Sequence, residues 1–362
     1  MKHSFDRRIS RAVSLPGMGI GGDNPISIQS MTNTDTHDIE ATYGQVSRLA
    51  EAGCDVVRIT APDIEAARTF EALKNRGITV PLVADIHFNH EIAIACCELG
   101  ADKIRINPGN IGDDSKVRAV VDACKRRGVP IRIGVNSGSL EKSILHKHGA
   151  PTAEALAESA LYHASLLEKF DFHDIVISVK ASDVGNMIRA NRILAQRTEY
   201  PLHLGVTEAG GGNSAVVKSS IGIGTLLAEG IGDTVRVSLT DDPVEEVYAA
   251  REILRALGLS KSPGMDIVSC PTCGRTKIDL IRLLADFKER VRCEGLDKLD
   301  LKIALMGCVV NGPGEAREAD LGIAGGNGEG LIFKKGEILR KVSESRLIDE
   351  LIKEIRLLSE SK

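Results

Sequence analysis

Two cysteines separated by two residues can turn both sulfurs toward one metal centre, and the chain carries that spacing in Cys270-Pro271-Thr272-Cys273-Gly274-Arg275-Thr276. A third soft ligand, Cys308, stands just before the Gly/Pro-rich turn Asn311-Gly312-Pro313-Gly314-Glu315. Three thiolates leave one position of a four-ligand centre open. A structural zinc ribbon would fill it from a second Cys-x-x-Cys, and only the isolated Cys293 is on offer. The other reading is a [4Fe–4S] cluster whose fourth iron takes the Glu315 carboxylate. Ordinary electron-carrier clusters use four cysteines, so an oxygen ligand marks an iron that can exchange it for a substrate oxygen. The spacing admits both readings.

A second constellation is basic. In Lys103-Ile104-Arg105-Ile106-Asn107 the polar residues share one face and the isoleucines the other. Ile131–Asn136, Val57–Thr60, Ile177–Lys180 and Thr234–Ser238 repeat the alternation. Parallel strands buried on both faces are ordinarily apolar throughout, so the polar face here must look into a barrel. It collects Arg58, Arg105, Arg132, Lys180 and Arg236 with Asp85, His87, Asn136, Glu208 and Ser238. Two carboxylates cannot neutralise all those cations, and a buried unpaired charge is costly. An internal ion-pair network with ordered water is one account. A multiply charged anion, naturally a diphosphate, is the other, because guanidinium forks match phosphate oxygens. Asn107-Pro108-Gly109-Asn110 and Asn136-Ser137-Gly138 are expected to bring backbone N–H groups to the rim. Ala209-Gly210-Gly211-Gly212-Asn213 follows the seventh strand, where barrels often bind phosphate, although a glycine run is often only a loop. His146 and His148 read as part of a solvated loop.

The elements that must position these groups alternate strand and helix. Expected strands are Ile26–Thr32, Val56–Thr60, Leu82–Ile86, Lys103–Asn107, Ile131–Asn136, Ile175–Lys180, His203–Glu208 and Thr234–Leu239, with helix-sized segments between them. That order predicts a (β/α)8 TIM-type barrel over 1–258, with a doubly wound sheet as the alternative. The polar link 259–264 is the expected boundary. Residues 265–362 read as a smaller α+β domain with strands at Met265–Ser269 and Leu301–Met306. Helices are expected at Lys277–Arg290 and Arg346–Leu358, and a hairpin joins 321–324 to 330–333.

Composition narrows the function. A net charge of −4 and the absence of tryptophan argue against nucleic-acid binding. No apolar run reaches the ~20 residues of a membrane span, and no signal sequence is read at Met1–Arg8, so a cytoplasmic protein is expected. In a reducing compartment the eight cysteines are thiols or ligands rather than disulfides. Cys54, Cys96, Cys97 and Cys124 read as core residues. Two rival classes are a non-redox phosphate-binding barrel with a structural zinc domain, such as a pterin synthase, and a zinc-ribbon module.

Seven motifs occur in order: Ser27-Ile28-Gln29-Ser30-Met31-Thr32-Asn33-Thr34, Arg105–Asn110, Arg132–Ser139, Ser178–Ser182, Gly205–Gly210, Ser269–Thr276 and Met306–Glu315. With them the chain resembles, over nearly its whole length, the (E)-4-hydroxy-3-methylbut-2-enyl diphosphate synthases in their compact bacterial form. The resemblance implies reductive ring opening of 2-C-methyl-D-erythritol 2,4-cyclodiphosphate with loss of water, in the methylerythritol phosphate route to isoprenoids. It implies a [4Fe–4S] cluster held by Cys270, Cys273, Cys308 and Glu315, with electrons from flavodoxin or ferredoxin. It places the substrate on Arg58, Arg105, Arg132, Asn136, Lys180 and Ser238, with Glu208 near the reacting carbons. Cys293 is no ligand in that pattern. A homodimer is also implied, the cluster domain of one subunit covering the barrel mouth of the other.

Overall fold

The computed structural model describes residues 6–260, 264–308 and 317–360. A short antiparallel hairpin, β1 (Val13–Leu15) and β2 (Met18–Ile20), precedes eight barrel strands. These are β3 (Ser27–Met31), β4 (Val56–Thr60), β5 (Leu82–Asp85), β6 (Lys103–Ile106), β7 (Ile131–Asn136), β8 (Ile175–Lys180), β9 (Leu202–Leu204) and β10 (Thr234–Val235). They are parallel and close into a barrel in chain order, β10 pairing with β3. The doubly wound alternative is thereby excluded.

Side-chain alternation gives each strand two environments. Outward residues such as Ile104, Ile106, Ile133, Ile177 and Val179 are buried in one continuous apolar core. The inward face changes character along the barrel axis. Near the strand N-termini Val56, Val83 and Val176 pack with Val13, Leu15 and Ile20 of the hairpin, which closes that end. Two residues further along, the same face carries Arg58, Asp85 and Ser178. Register sets Asp85 beside Arg105, Arg105 beside Arg132, and Asn136 beside Lys180.

Two compact units divide between Ser260 and Lys261. Leu259 belongs to the barrel core and Met265 to the core of the second unit. Of the expected linker 259–264, residues 261–263 lie outside the described residues. The second unit is built on a mixed sheet of β11 (Asp266–Ser269), β12 (Lys302–Met306), β13 (Leu321–Gly325), β14 (Glu329–Lys334) and β15 (Glu337–Ser343). β11, β12 and β13 run parallel, whereas β13, β14 and β15 are antiparallel. The helices Leu280–Cys293 and Leu347–Glu360 bury Leu283, Phe287, Val291, Leu351 and Ile355 against Ile303, Leu305, Ile323 and Ile332.

Three expectations shift. β9 and β10 stop at Leu204 and Val235, well short of Glu208 and Leu239. β15 has no counterpart among the expected strands. Its Arg340 is drawn to Glu350 and Glu354 of the last helix, which ties an otherwise charged edge to the unit. His146 and His148 lie on a short helix, Lys142–His148, and His148 bonds Glu158 at 2.9 Å.

Phe287 is fully buried at the centre of the second core. Replacing it with alanine should lower stability by about 3–5 kcal/mol, measured by urea unfolding of the second unit's transition.

Candidate active site

The cations expected on the inner face meet at the C-terminal ends of the barrel strands, where such barrels keep their sites. Arg58, Arg105, Arg132, Lys180 and Arg236 line one cavity of about 120 Å³ with Asp85, His87, Gly134, Asn136, Ser178 and Thr207. Asp85 is the hub. It accepts from Arg105 Nη1 at 3.0 Å and lies 3.7 Å from Arg58 Nε. Arg105 Nη2 also donates to the Gly134 carbonyl at 2.7 Å. That approach requires glycine, since a Cβ at 134 would stand 2.2 Å from Arg105 Nε.

The charge balance differs from the expected one. Arg236 has its own carboxylate, Glu246 of the helix Pro243–Ala256, at 2.8 and 3.1 Å. Glu246 also accepts from Ser30 Oγ and from the Leu239 N–H. Arg132 and Lys180 have no carboxylate partner among the described residues, and Arg132 Nε and Nη2 lack any hydrogen bond. Beneath them Lys103 is fully buried with its Nζ unbonded, beside the buried His203.

The electrostatics follow from this imbalance. Burial alone would raise the Asp85 carboxyl, but Arg58, Arg105 and Arg132 outweigh it and hold Asp85 well below the usual carboxylate range. Burial, and then the neighbouring cations, push Lys180, Lys103 and His203 well down. Arg58 is brought to about 10 by burial, with Asp85 opposing and Arg236 and Arg105 adding to it. A guanidinium does not deprotonate in proteins. The strain at Arg132 therefore persists as an unmet demand for negative charge, which a phosphate can satisfy.

The second constellation lies at the ends of neighbouring parallel strands. β11 runs into Cys270 and β12 into Gly307-Cys308, with Ser269 in register with Leu305. Cys270 Sγ accepts the Gly307 N–H at 3.2 Å. The turn between is held by Thr276 N–H to the Cys273 carbonyl, Cys273 N–H to Thr276 Oγ1, and Lys277 N–H to the Gly307 carbonyl. A Cβ at Gly307 would sit 2.8 Å from Thr276 Cγ2, so glycine lets the turn lie on the strand end. Cys273 is exposed, and the Arg275 backbone N–H, followed by its side chain, lowers its thiol, which favours a ligating thiolate. All three cysteines are free thiols. Among the described residues no three His, Cys, Asp or Glu side chains are grouped to hold one metal ion. Cys293 closes a 14-residue helix that begins at Leu280, which places it ~20 Å along the axis from that residue. Cys54, Cys96, Cys97 and Cys124 are buried, and burial pushes Cys54 and Cys96 up to about 12.

The family model described as the GcpE TIM-barrel domain matches residues 10–251, and that described as the GcpE protein C-terminal domain matches 266–357. The chain belongs to the GcpE family. A relative from Caldanaerobacter subterraneus subsp. tengcongensis is 57% identical over 96% of this chain and 97% of its own. One from Clostridium perfringens is 58% identical over 96% and 99%. One from Bacillus subtilis is 54% identical over 98% and 93%. Each is named 4-hydroxy-3-methylbut-2-en-1-yl diphosphate synthase (flavodoxin). A solved structure of Yersinia pestis dihydropteroate synthase aligns with a TM-score of 0.48 at 14% identity, over 68% of this chain and 98% of that one.

Of the residues expected to hold substrate in this GcpE chain, Arg58, Arg105, Arg132, Asn136 and Lys180 line the cavity. Ser238 is half-buried two residues past Arg236 and is not among the lining residues. Glu208 is not on the inner face. The strand has ended, the residue is exposed with φ of 53°, and Thr207 takes the inward position. The Gly109 N–H, expected at the rim as a phosphate donor, is engaged by His163 Nδ1 at 3.1 Å. Glu315 and the Asn311–Glu315 turn lie outside the described residues. Gly134, Ser178 and Thr207 line the cavity in addition to the expected residues, and the strand parity that points to Arg132 and Lys180 also points to Gly134 and Ser178.

Because the Asp85 carboxyl is depressed on folding, its contribution is complete above about pH 4 and is lost as the pH falls further. Asp85→Asn leaves Arg58 and Arg105 without a counter-charge and should cost about 3–5 kcal/mol at pH 7. Urea unfolding across pH should show the gap from the parent protein narrowing only below about pH 4.

Proposed function

We propose that this chain makes 4-hydroxy-3-methylbut-2-en-1-yl diphosphate by reductive ring opening of 2-C-methyl-D-erythritol 2,4-cyclodiphosphate. Two electrons and two protons enter, the ring C–O bond to phosphate breaks, and one water leaves. The relatives' shared name supplies the product and flavodoxin as donor, and ferredoxin is the alternative carrier. The observation that carries the substrate class is the cavity in which, among the described residues, Arg132 and Lys180 have no carboxylate partner and Arg132 Nε and Nη2 have no hydrogen bond.

In this reading Arg58, Arg105, Arg132 and Lys180 bind the phosphoryl oxygens, and Asn136 orients the ring at the strand end. Asp85 keeps Arg58 and Arg105 fixed before substrate arrives, which limits reorganisation on binding. Ser238 adds a hydroxyl from the β10 side. Glu208 stands on the rim loop in a backbone region uncommon for a non-glycine residue, a form of strain that gathers at functional sites. Its role is to hold or deliver a proton for the departing hydroxyl. A [4Fe–4S] cluster on Cys270, Cys273, Cys308 and Glu315 would supply electrons one at a time; the three free thiols are donors of the right type for it, although in this structure they do not converge on one point.

The same reading makes the protein a homodimer in which the cluster unit of one copy serves the barrel of the other, since reductive chemistry needs water excluded. No helix among the described residues is long and apolar enough to cross a membrane. The eight free cysteines accord with a reducing compartment, the cytoplasm.

Lys180→Met should raise KM about 10–100-fold, the range of a charge-assisted hydrogen bond, with iron content unchanged in anaerobically purified protein. Glu315→Ala should keep its brown colour and lose turnover. A colourless parent protein, or full activity in both variants, would overturn the assignment.

A further inference from the structure

His163 lies on the helix Ala153–Glu168, outside the cavity, and is fully buried. Its ring nevertheless touches both loops that leave β6 and β7. Nδ1 accepts the Gly109 N–H at 3.1 Å, so the neutral ring carries its proton on Nε2, and Nε2 meets the Glu141 carboxylate. Gly109 has no room for a side chain: a Cβ there would stand 2.8 Å from His163 Cε1. Burial would raise the Glu141 carboxyl, but His163, its own backbone N–H and Ser159 carry it down to about 2. It is thus an anionic group held against the ring nitrogen.

Both tethered loops lead directly into the site. Asn107, two residues before Gly109, accepts the Gly134 N–H on Oδ1 at 2.9 Å. Gly134 in turn accepts Arg105 through its carbonyl. Glu141 follows the short turn Ser137–Ser139 that begins after Asn136, which lines the cavity. One imidazole therefore spans the exits of two adjacent strands that carry Arg105, Arg132 and Asn136 on their inner faces. A ring bridging two rim loops does what a supporting shell must do, locking the rotamers and backbone of groups that touch substrate.

We propose that His163 is a positioning residue that holds the β6 and β7 exits at the spacing the diphosphate requires. The proposal rests on the reading of the cavity as a diphosphate site. The test compares the KM for the cyclic diphosphate, kcat, iron content and thermal midpoint of the holoenzyme with those of four variants. Asparagine places an amide oxygen where Nδ1 lies, and glutamine places an amide nitrogen where Nε2 lies. His163→Asn should keep the Gly109 bond and His163→Gln the Glu141 contact, each raising KM only slightly. His163→Leu breaks both and should raise KM about tenfold, with kcat within about threefold and iron content unchanged. Gly109→Ala presses on the same ring from the other side and should reproduce that rise; it carries the test if the leucine variant does not fold. A lowered thermal midpoint with unchanged KM in Gly109→Ala and every folded His163 variant would reduce His163 to a structural residue and overturn the proposal. Lys180→Met run in parallel separates the two levels. If it weakens binding and the His163 and Gly109 variants do not, this inference fails alone. If none of them changes KM, the diphosphate reading fails with it.

Discussion

The barrel interior is organised by one electrostatic imbalance. Arg58 and Arg105 share Asp85, Arg236 takes Glu246, and among the described residues Arg132 and Lys180 are left without a carboxylate. Removing an ion from water without a partner costs several kcal/mol, so the fold must recover that elsewhere. The outward faces of the same strands do so, burying their isoleucines and valines in a continuous core. The hairpin β1–β2 closes the opposite end with apolar contacts. The stabilising and the demanding layers are thus stacked along one axis, and the demand opens only at the strand C-termini.

Close approach is the second constraint. Gly134 lets Arg105 reach over β7, Gly109 admits the His163 ring, and Gly307 lets the cysteine turn lie against β12. In each case a side chain at the glycine would displace a group packed against it. The pre-organised clamp and the thiol turn share this logic: backbone is brought near so that few side chains need to move when a ligand arrives.

Much of this was legible from residue order. Strand parity found Arg58, Arg105, Arg132, Asn136 and Lys180 because β4, β6, β7 and β8 stay regular to their ends. It failed at Glu208 because β9 stops at Leu204 and the following loop leaves the extended conformation. Glu246 and His163 were invisible to it for another reason: both come from helices, and a strand pattern does not say which helical side chain reaches back to the rim. The Cys-x-x-Cys spacing indicated a metal centre but could not choose between iron–sulfur and zinc. The 14-residue helix separating Cys293 from that turn is what counts against a fourth thiol.

The most direct test of the imbalance is the thermal midpoint of the purified protein against increasing 2-C-methyl-D-erythritol 2,4-cyclodiphosphate at constant ionic strength. A ligand that binds only the folded state stabilises it in proportion to the logarithm of its concentration. The account predicts a concentration-dependent rise that sodium chloride at matched ionic strength does not reproduce. No rise at millimolar ligand, or an equal rise with chloride, would contradict it.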